Sequence, residues 1–417
     1  MSKGMEKDAP MTAKAWLPLL GMAVSTFIFN TSEFMPVGLL VDIAADFQVS
    51  EAVAGMLVSV YAWAVMILSL PLMIFASRFD FRRMILGVIA VFMLGQAVSA
   101  IAANYWMLMG ARLVVACAHA VFWSVASPIA IRLVPLPYRP MAMSVIVVGS
   151  SIAMIAGLPL GRVIGLALGW RATFVCIAAV SLALLAYFFV VFPKLDSGAP
   201  FSLRRLPELL KNPALLALYI ITALMATGYY EAYSYIEPFL QQMGGMSDQG
   251  ITIALALFGV AGVAASVLFS RLYDTRRFAF LAIAVGGIAV ALVLLRVAAL
   301  TPAAVFALCM LWGVCGTATN VALQAEVIKV SPEDASPVAM SIYSGIYNLG
   351  IGTGAAIGGA ASVSLGMGSI GFVGFVFVAV SCALCALVLP KAVKKVALAR
   401  LAAARAERAA RRAERLQ

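Results

Sequence analysis

Three side chains able to move or steer a proton stand in stretches otherwise almost free of charge: Glu33, Arg112 and His119, the last being the only histidine. Thr26, Asn30 and Glu33 fall at i, i+4 and i+7, so one helical face carries a polar stripe. Arg112, His119 and Trp123 fall at i, i+7 and i+11, and seven residues bring a helix back to within about 20° of the same face. Imidazole titrates near pH ~6.5 in water, and a carboxyl is a natural partner for it. Such a pair can hold or release one proton as its surroundings change. An ionisable group at mid-membrane costs several kcal/mol, so it persists where a cavity, a partner or an ion path uses it. The structural alternatives are a satisfied buried hydrogen bond for His119 and a snorkelled charge for Arg112.

A second set of residues suits a hydroxyl-rich small molecule, which needs donors and acceptors together with flat apolar faces. Spacing places Tyr230, Tyr233 and Glu237 on one helical face, Gly313, Asn320 and Gln324 on another, and Ser341, Ser344 and Asn348 on a third; Tyr61, Trp63 and Trp123 add rings from the first half, and Asn30 an amide. The competing account of the rings is helix packing or an interfacial belt. Glu237 and Pro238 read as gate or interface residues rather than ligands, and Glu231 as a separate candidate for charge-dependent selectivity.

These residues must be positioned by helices in a bilayer. Of 417 residues, 64% are hydrophobic and 11% charged, whereas a soluble domain is about half apolar and a quarter charged. Runs of roughly 20 apolar residues span a bilayer. Twelve candidate spans follow, near 16–40, 52–77, 84–103, 106–134, 140–167, 172–193, 213–241, 250–270, 278–299, 302–328, 338–362 and 369–390. The first is too long and too polar for a cleaved secretory signal. Counting by alternate loops, 25 of the 29 Lys and Arg fall on one side, which by the positive-inside rule puts both termini in the cytoplasm. Bases spread over membrane-flanking loops argue against a nucleic-acid partner. The cysteines all lie within spans, so no disulfide framework is indicated, and Cys382 and Cys385 lack the partners of a metal or redox pair. No cofactor or metal is expected. The domains read as 1–194 and 213–390, joined by an amphipathic surface linker over 195–212, with a basic tail over 391–417 touching lipid headgroups.

The two halves repeat at an offset of 197: Pro140-Met-Ala-Met-Ser144 returns as Pro337-Val-Ala-Met-Ser341, Gly157 and Gly161 map onto Gly354 and Gly358, and Ser77 onto Asp274. FIFNTSEFMPVGLL (27–40), SVYAW (59–63), HAVFWS (119–124), GLPLGR (157–162), GWRATF (169–174), YSYIEPF (233–239) and SGIYNLGIGTGA (344–355) resemble the drug/proton antiporter branch of the major facilitator superfamily, and within it the bacterial sugar efflux transporters (SotB type). The resemblance covers nearly the whole length to about residue 390. It departs from the family pattern in the loop after the second span, where Met73 and Ser77 stand in place of a glycine and an acid, so no latch role is expected of Ser77.

The resemblance implies an all-α membrane protein of the major facilitator fold, with twelve transmembrane helices in two pseudo-symmetric six-helix bundles. It further implies a monomer in the bacterial inner membrane that moves a small-molecule substrate against protons. Proton-coupled efflux of sugars by alternating access is the leading reading, with Glu33, His119 and Arg112 coupling the proton. Export of hydrophobic drugs or nucleosides is the runner-up, and a transporter-like receptor without net transport the third. Neither a phosphate-cradling glycine loop followed by Lys-Ser/Thr nor a nucleophile with its base is present, so no enzyme is indicated.

Overall fold

The computed structural model describes residues 13–76, 78–195, 206–273, 275–332 and 336–398. Among them the regular elements are all helical: α1 (Ala13–Phe34), α2 (Leu40–Phe47), α3 (Glu51–Ala76), α4 (Phe81–Ala100), α5 (Tyr105–Arg132), α6 (Arg139–Ile152), α7 (Leu158–Leu168), α8 (Trp170–Val191), α9 (Leu206–Lys211), α10 (Pro213–Tyr233), α11 (Ile236–Gln242), α12 (Asp248–Leu272), α13 (Arg277–Ala298), α14 (Pro302–Val330), α15 (Ser336–Ser364) and α16 (Ile370–Leu387). Among the described residues, eleven stretches are long and apolar enough to cross a membrane. The remaining expected span corresponds to α15, whose 29 residues reach about 43 Å but whose glycines and serines dilute its apolar content. Ser77, Asp274, the segment 196–205 and the tail beyond 398 lie outside the described residues, so of the expected surface linker only Leu195 and residues 206–212, with α9, are placed.

Three expected spans are interrupted, each near a proline. The first does not end near residue 40: α1 passes through a 3-10 turn, Met35–Leu39, and resumes as α2 to Phe47. Pro36 has no N–H to donate to the Ser32 carbonyl four residues back, so the α ladder cannot run through it. The fifth consists of α6, a π-helical turn at Ala153–Gly157, and α7, and Pro159 likewise leaves the Ile155 carbonyl without its donor. The seventh breaks between Tyr233 and Ile236, ahead of Pro238. Tyr230, Tyr233 and Glu237 therefore do not share one continuous helical face, and Glu237 serves a different site from the two tyrosines.

The repeat is visible in the register of the elements. Glu51 and Asp248 open α3 and α12, Tyr105 and Pro302 open α5 and α14, and Arg139 and Ser336 open α6 and α15, each pair 197 apart. Gly169 and Gly366, also 197 apart, adopt φ of 87° and 86° in matching turns, a conformation that a Cβ would strain. Buried residues of α1 to α8 form one core, and those of α10 to α16 form another that also takes in Val37, Leu40, Ala54, Val58, Ala62 and Leu158 of the first half. Those shared residues mark the seam between the lobes, where α3 lies along α15 and α7 meets α12.

Lipid is as apolar as leucine, so close backbone packing rather than hydrophobic burial must hold such helices together. At Gly354 and Gly358 of α15 a Cβ would strike the backbone oxygens of Thr227 and Glu231 on α10. Gly157, the repeat partner of Gly354, fits instead against the Thr31 side chain of α1.

Candidate functional site

The break in the first span creates the site. Arg112 on α5 is fully buried and donates through Nη1 to the Ser32 carbonyl at 2.9 Å and through Nη2 to the Glu33 carbonyl at 3.3 Å. The carbonyl that Pro36 deprives of its helical donor is thus capped by a guanidinium from another helix. Hydrogen bonds from a charged donor contribute roughly 1.5–3 kcal/mol each, and leaving the acceptor bare costs about as much. Ser32 Oγ also accepts from Gln96 Nε2 on α4. The Arg112 guanidinium lies 4.2 Å from the centroid of the Tyr61 ring on α3, a cation–π contact in a dry setting. Arg112 thus meets Glu33 at its backbone.

The Glu33 side chain turns to His119. Their nearest atoms, Oε2 and Nε2, are 3.7 Å apart and both side chains are buried. That distance is too long for a hydrogen bond but well inside electrostatic reach, so a small approach would let a proton be shared. His119 is enclosed by Tyr61, Phe29 and Trp123, with ring centroids at 5.5, 6.1 and 6.1 Å, and its Nδ1 has no hydrogen-bond partner. Across the lobe boundary, Tyr230 and Tyr347 are electrostatic neighbours of the Glu33 carboxyl.

Beside this cluster lies a cavity of about 340 Å³ between the lobes. The first lobe lines it with Asn30, Phe34, Ser151 and Leu158, and the second with Tyr229, Tyr230, Tyr233, Phe258 and Thr317, among others; among the described residues no Asp, Glu, Lys or Arg belongs to its lining. Phe34 and Tyr230 stack across the boundary at 5.9 Å. Glu33 precedes Phe34 in the chain, and its carboxyl is within electrostatic reach of the lining residue Tyr230. An uncharged ligand with hydrogen-bonding groups and a flat face fits such a lining.

Of the residues expected to bind substrate, Asn30, Tyr230 and Tyr233 line the cavity, while Tyr61 and Trp123 belong to the wall around His119. The other five lie elsewhere. Trp63 Nε1 reaches Thr353 Oγ1 at 3.4 Å in the seam of α3 and α15. Asn320 Oδ1 accepts from Gln324 at 3.0 Å and from the Tyr343 hydroxyl at 2.8 Å, and Asn348 donates to the Ser344 carbonyl at 3.0 Å. Ser32, Gln96, Tyr229 and Phe258 were not singled out by sequence. The signal available for Ser32 was Pro36, four residues on.

The lobes are bridged at the end where α2, α11 and the start of α12 meet. Arg162 of α7, buried, pairs there with Glu237 of α11 and, at 2.9 Å, with Asp248 of α12. The other Glu237 oxygen accepts from the Leu40 N–H at 2.8 Å, and Gln242 donates to Glu51 at 2.6 Å. Glu237 therefore acts as an interface residue, not as a cavity ligand.

A bundle of spanning helices in two related lobes, with a cavity between them and a buried ionisable cluster beside it, has the build of a membrane carrier. The chain belongs to the Major Facilitator Superfamily, whose profile matches residues 22–343 and 245–413. It is 44% identical over 351 residues, 84% of this chain and 88% of the relative, to a probable sugar efflux transporter from Mannheimia succiniciproducens.

Solved structures of similar fold include a bacterial homolog of the human lysosomal transporter Spinster, inward-facing and unoccupied, at a TM-score of 0.72 and 15% identity over 93% of this chain and 99% of that one. The human organic anion transporter MFSD10 matches at 0.66 and 14% identity over 90% of this chain and 100% of that one. The neighbours support the fold, and the relative supports membrane transport.

Proposed function

We propose that the chain exports sugars or sugar-like neutral molecules across the bacterial inner membrane in exchange for protons, by alternating access. The single observation that carries this reading is the Glu33–His119 pair, 3.7 Å apart, with Glu33 next in the chain to Phe34 of a cavity between the lobes whose described lining residues bear no charge. Glu33 carries the exchanged proton and His119 is its electrostatic partner. Arg112 is a positioning residue, holding the break in α1 that aims Glu33 at His119.

Substrate and proton compete through Phe34 and Tyr230. A ligand seated on these rings shifts the neighbours of Glu33. The end of the molecule closed by Arg162, Glu237 and Asp248 faces outward, because the basic loops belong on the cytoplasmic side, and opening it breaks those bonds. The relative, a probable sugar efflux transporter, agrees with sugars. The aromatic share of the lining, Phe34, Tyr229, Tyr230, Tyr233 and Phe258, favours hydrophobic drugs as the second reading.

Purified protein in proteoliposomes with an imposed pH gradient tests the proposal. Gradient-driven accumulation of sugars or thiogalactosides, exceeding that of apolar drugs, is the expected result. Accumulation of drugs alone selects the second reading, and binding without any gradient-driven flux leaves a receptor.

A further inference from the structure

At the basic end of the first lobe, away from the transport cavity, a second concavity of about 380 Å³ is lined by Asp80, Arg82, Arg83, Leu86, Phe189, Lys194 and Leu195. Three cations face one carboxylate. The site is built rather than incidental. The Phe81 N–H donates to the Leu195 carbonyl at 3.1 Å, tying the chain after α8 to the start of α4. Arg82 Nη2 donates to the Phe189 carbonyl at 2.7 Å, which fixes one guanidinium at the rim. Asp80 is occupied, capping α4 through the Arg83 N–H at 2.9 Å and pairing with the Arg83 side chain at 3.2 Å. The ion pair of Asp80 is with Arg83, so Arg82 and Lys194 contribute two further positive charges to the lining.

The walls differ in character. Phe189, at 69% exposure, and its neighbour Val190, at 81%, present a bare apolar surface on the outward face of α8 just below the cations. A free phosphate has no use for that surface, whereas an anionic phospholipid has a phosphate for the cations and an acyl chain for the phenyl ring. Basic pockets between transmembrane helices at the membrane interface are suited to such headgroups, and arginine forks match phosphate oxygens.

We infer that Arg82, Arg83 and Lys194 form a specific site for an anionic phospholipid, with phosphatidylglycerol chemistry, whose acyl chain lies along Phe189 and Val190. Headgroup binding there joins α4 to α8, the two helices whose ends frame the site, and so braces the first lobe.

Titration of phosphatidylglycerol into the purified full chain in neutral detergent, read by lipid-bound peaks in native mass spectrometry and by the thermal unfolding midpoint, tests the site. Phosphatidylcholine and inorganic phosphate are run in parallel. The wild type is expected to retain phosphatidylglycerol in preference to phosphatidylcholine and to gain stability from it, and inorganic phosphate is expected to give neither effect. The triple variant R82Q/R83Q/K194Q is expected to lose about tenfold or more in phosphatidylglycerol affinity.

Because Arg82 also holds Phe189, the double variant R83Q/K194Q, which leaves that bond intact, is measured beside it and is expected to lose affinity in the same direction. Undiminished lipid retention in the double variant, or equal stabilisation by inorganic phosphate alone, would overturn the assignment.

Discussion

Replacing Arg112 with Gln leaves the Ser32 and Glu33 carbonyls without their buried donor and should destabilise the protein by ~2–3 kcal/mol. The measurement is the thermal unfolding midpoint of the purified variant, and an unchanged midpoint would mean that the break in α1 does not depend on the guanidinium. Asn30→Ala removes an amide from the cavity lining, and ligand affinity should fall about tenfold in a direct binding titration, whereas Gln324→Ala, outside that lining, should leave it within about twofold. Glu33, Arg112 and His119 were legible because ionisable groups are rare in spans and therefore conspicuous. Arg112's partners were not, because a guanidinium that caps a carbonyl on another helix leaves no trace in its own helix. The spacing arguments for Asn320 and Gln324 could not tell a face turned to the cavity from one whose groups bond to each other, as Asn320 does with Gln324 and Tyr343.

At the scale of the helix, the crossings of α10 with α15 are set by glycines that admit a backbone oxygen where a methyl would not fit. Gly358→Val places side-chain atoms against the Glu231 carbonyl and the Tyr235 ring and is expected to cost about 1–3 kcal/mol. Gly87→Val on α4, where a Cβ meets nothing, is the control and should leave the unfolding midpoint near that of the wild type; equal losses in both would show general β-branch intolerance and not a helix contact. Eleven spans are readable from apolar length, while α15, diluted by glycine and serine, is not; the 197-residue offset reappears in the matching turns at Gly169 and Gly366. Where the spans break was less readable. Pro36, Pro159 and Pro238 were visible, yet whether a proline bends a helix, inserts a π turn or stops it depends on which neighbour supplies the missing donor, and that is a tertiary fact.

For the whole molecule, the two lobes are held at one end by Arg162, whose acids Glu237 and Asp248 lie 75 and 86 residues along the chain, too distant for any local pattern to pair them. Removing one partner of a buried ion pair costs about 3–5 kcal/mol in the state that contains it, so Arg162→Gln should move the population toward molecules open at that end. Spin labels on the exposed Gln48 and Gln241, one on each lobe, should then report a longer distance in the variant than in the wild type, and identical distributions would deny Arg162 a latching role. The same alternation of ends must be driven by the proton at Glu33 if the lobes and the acid belong to one machine. The decisive measurement is solute flux by Glu33→Gln in proteoliposomes, with and without a pH gradient. Counterflow at wild-type magnitude together with complete loss of gradient-driven accumulation is the expected result; accumulation that still follows the gradient would contradict the account.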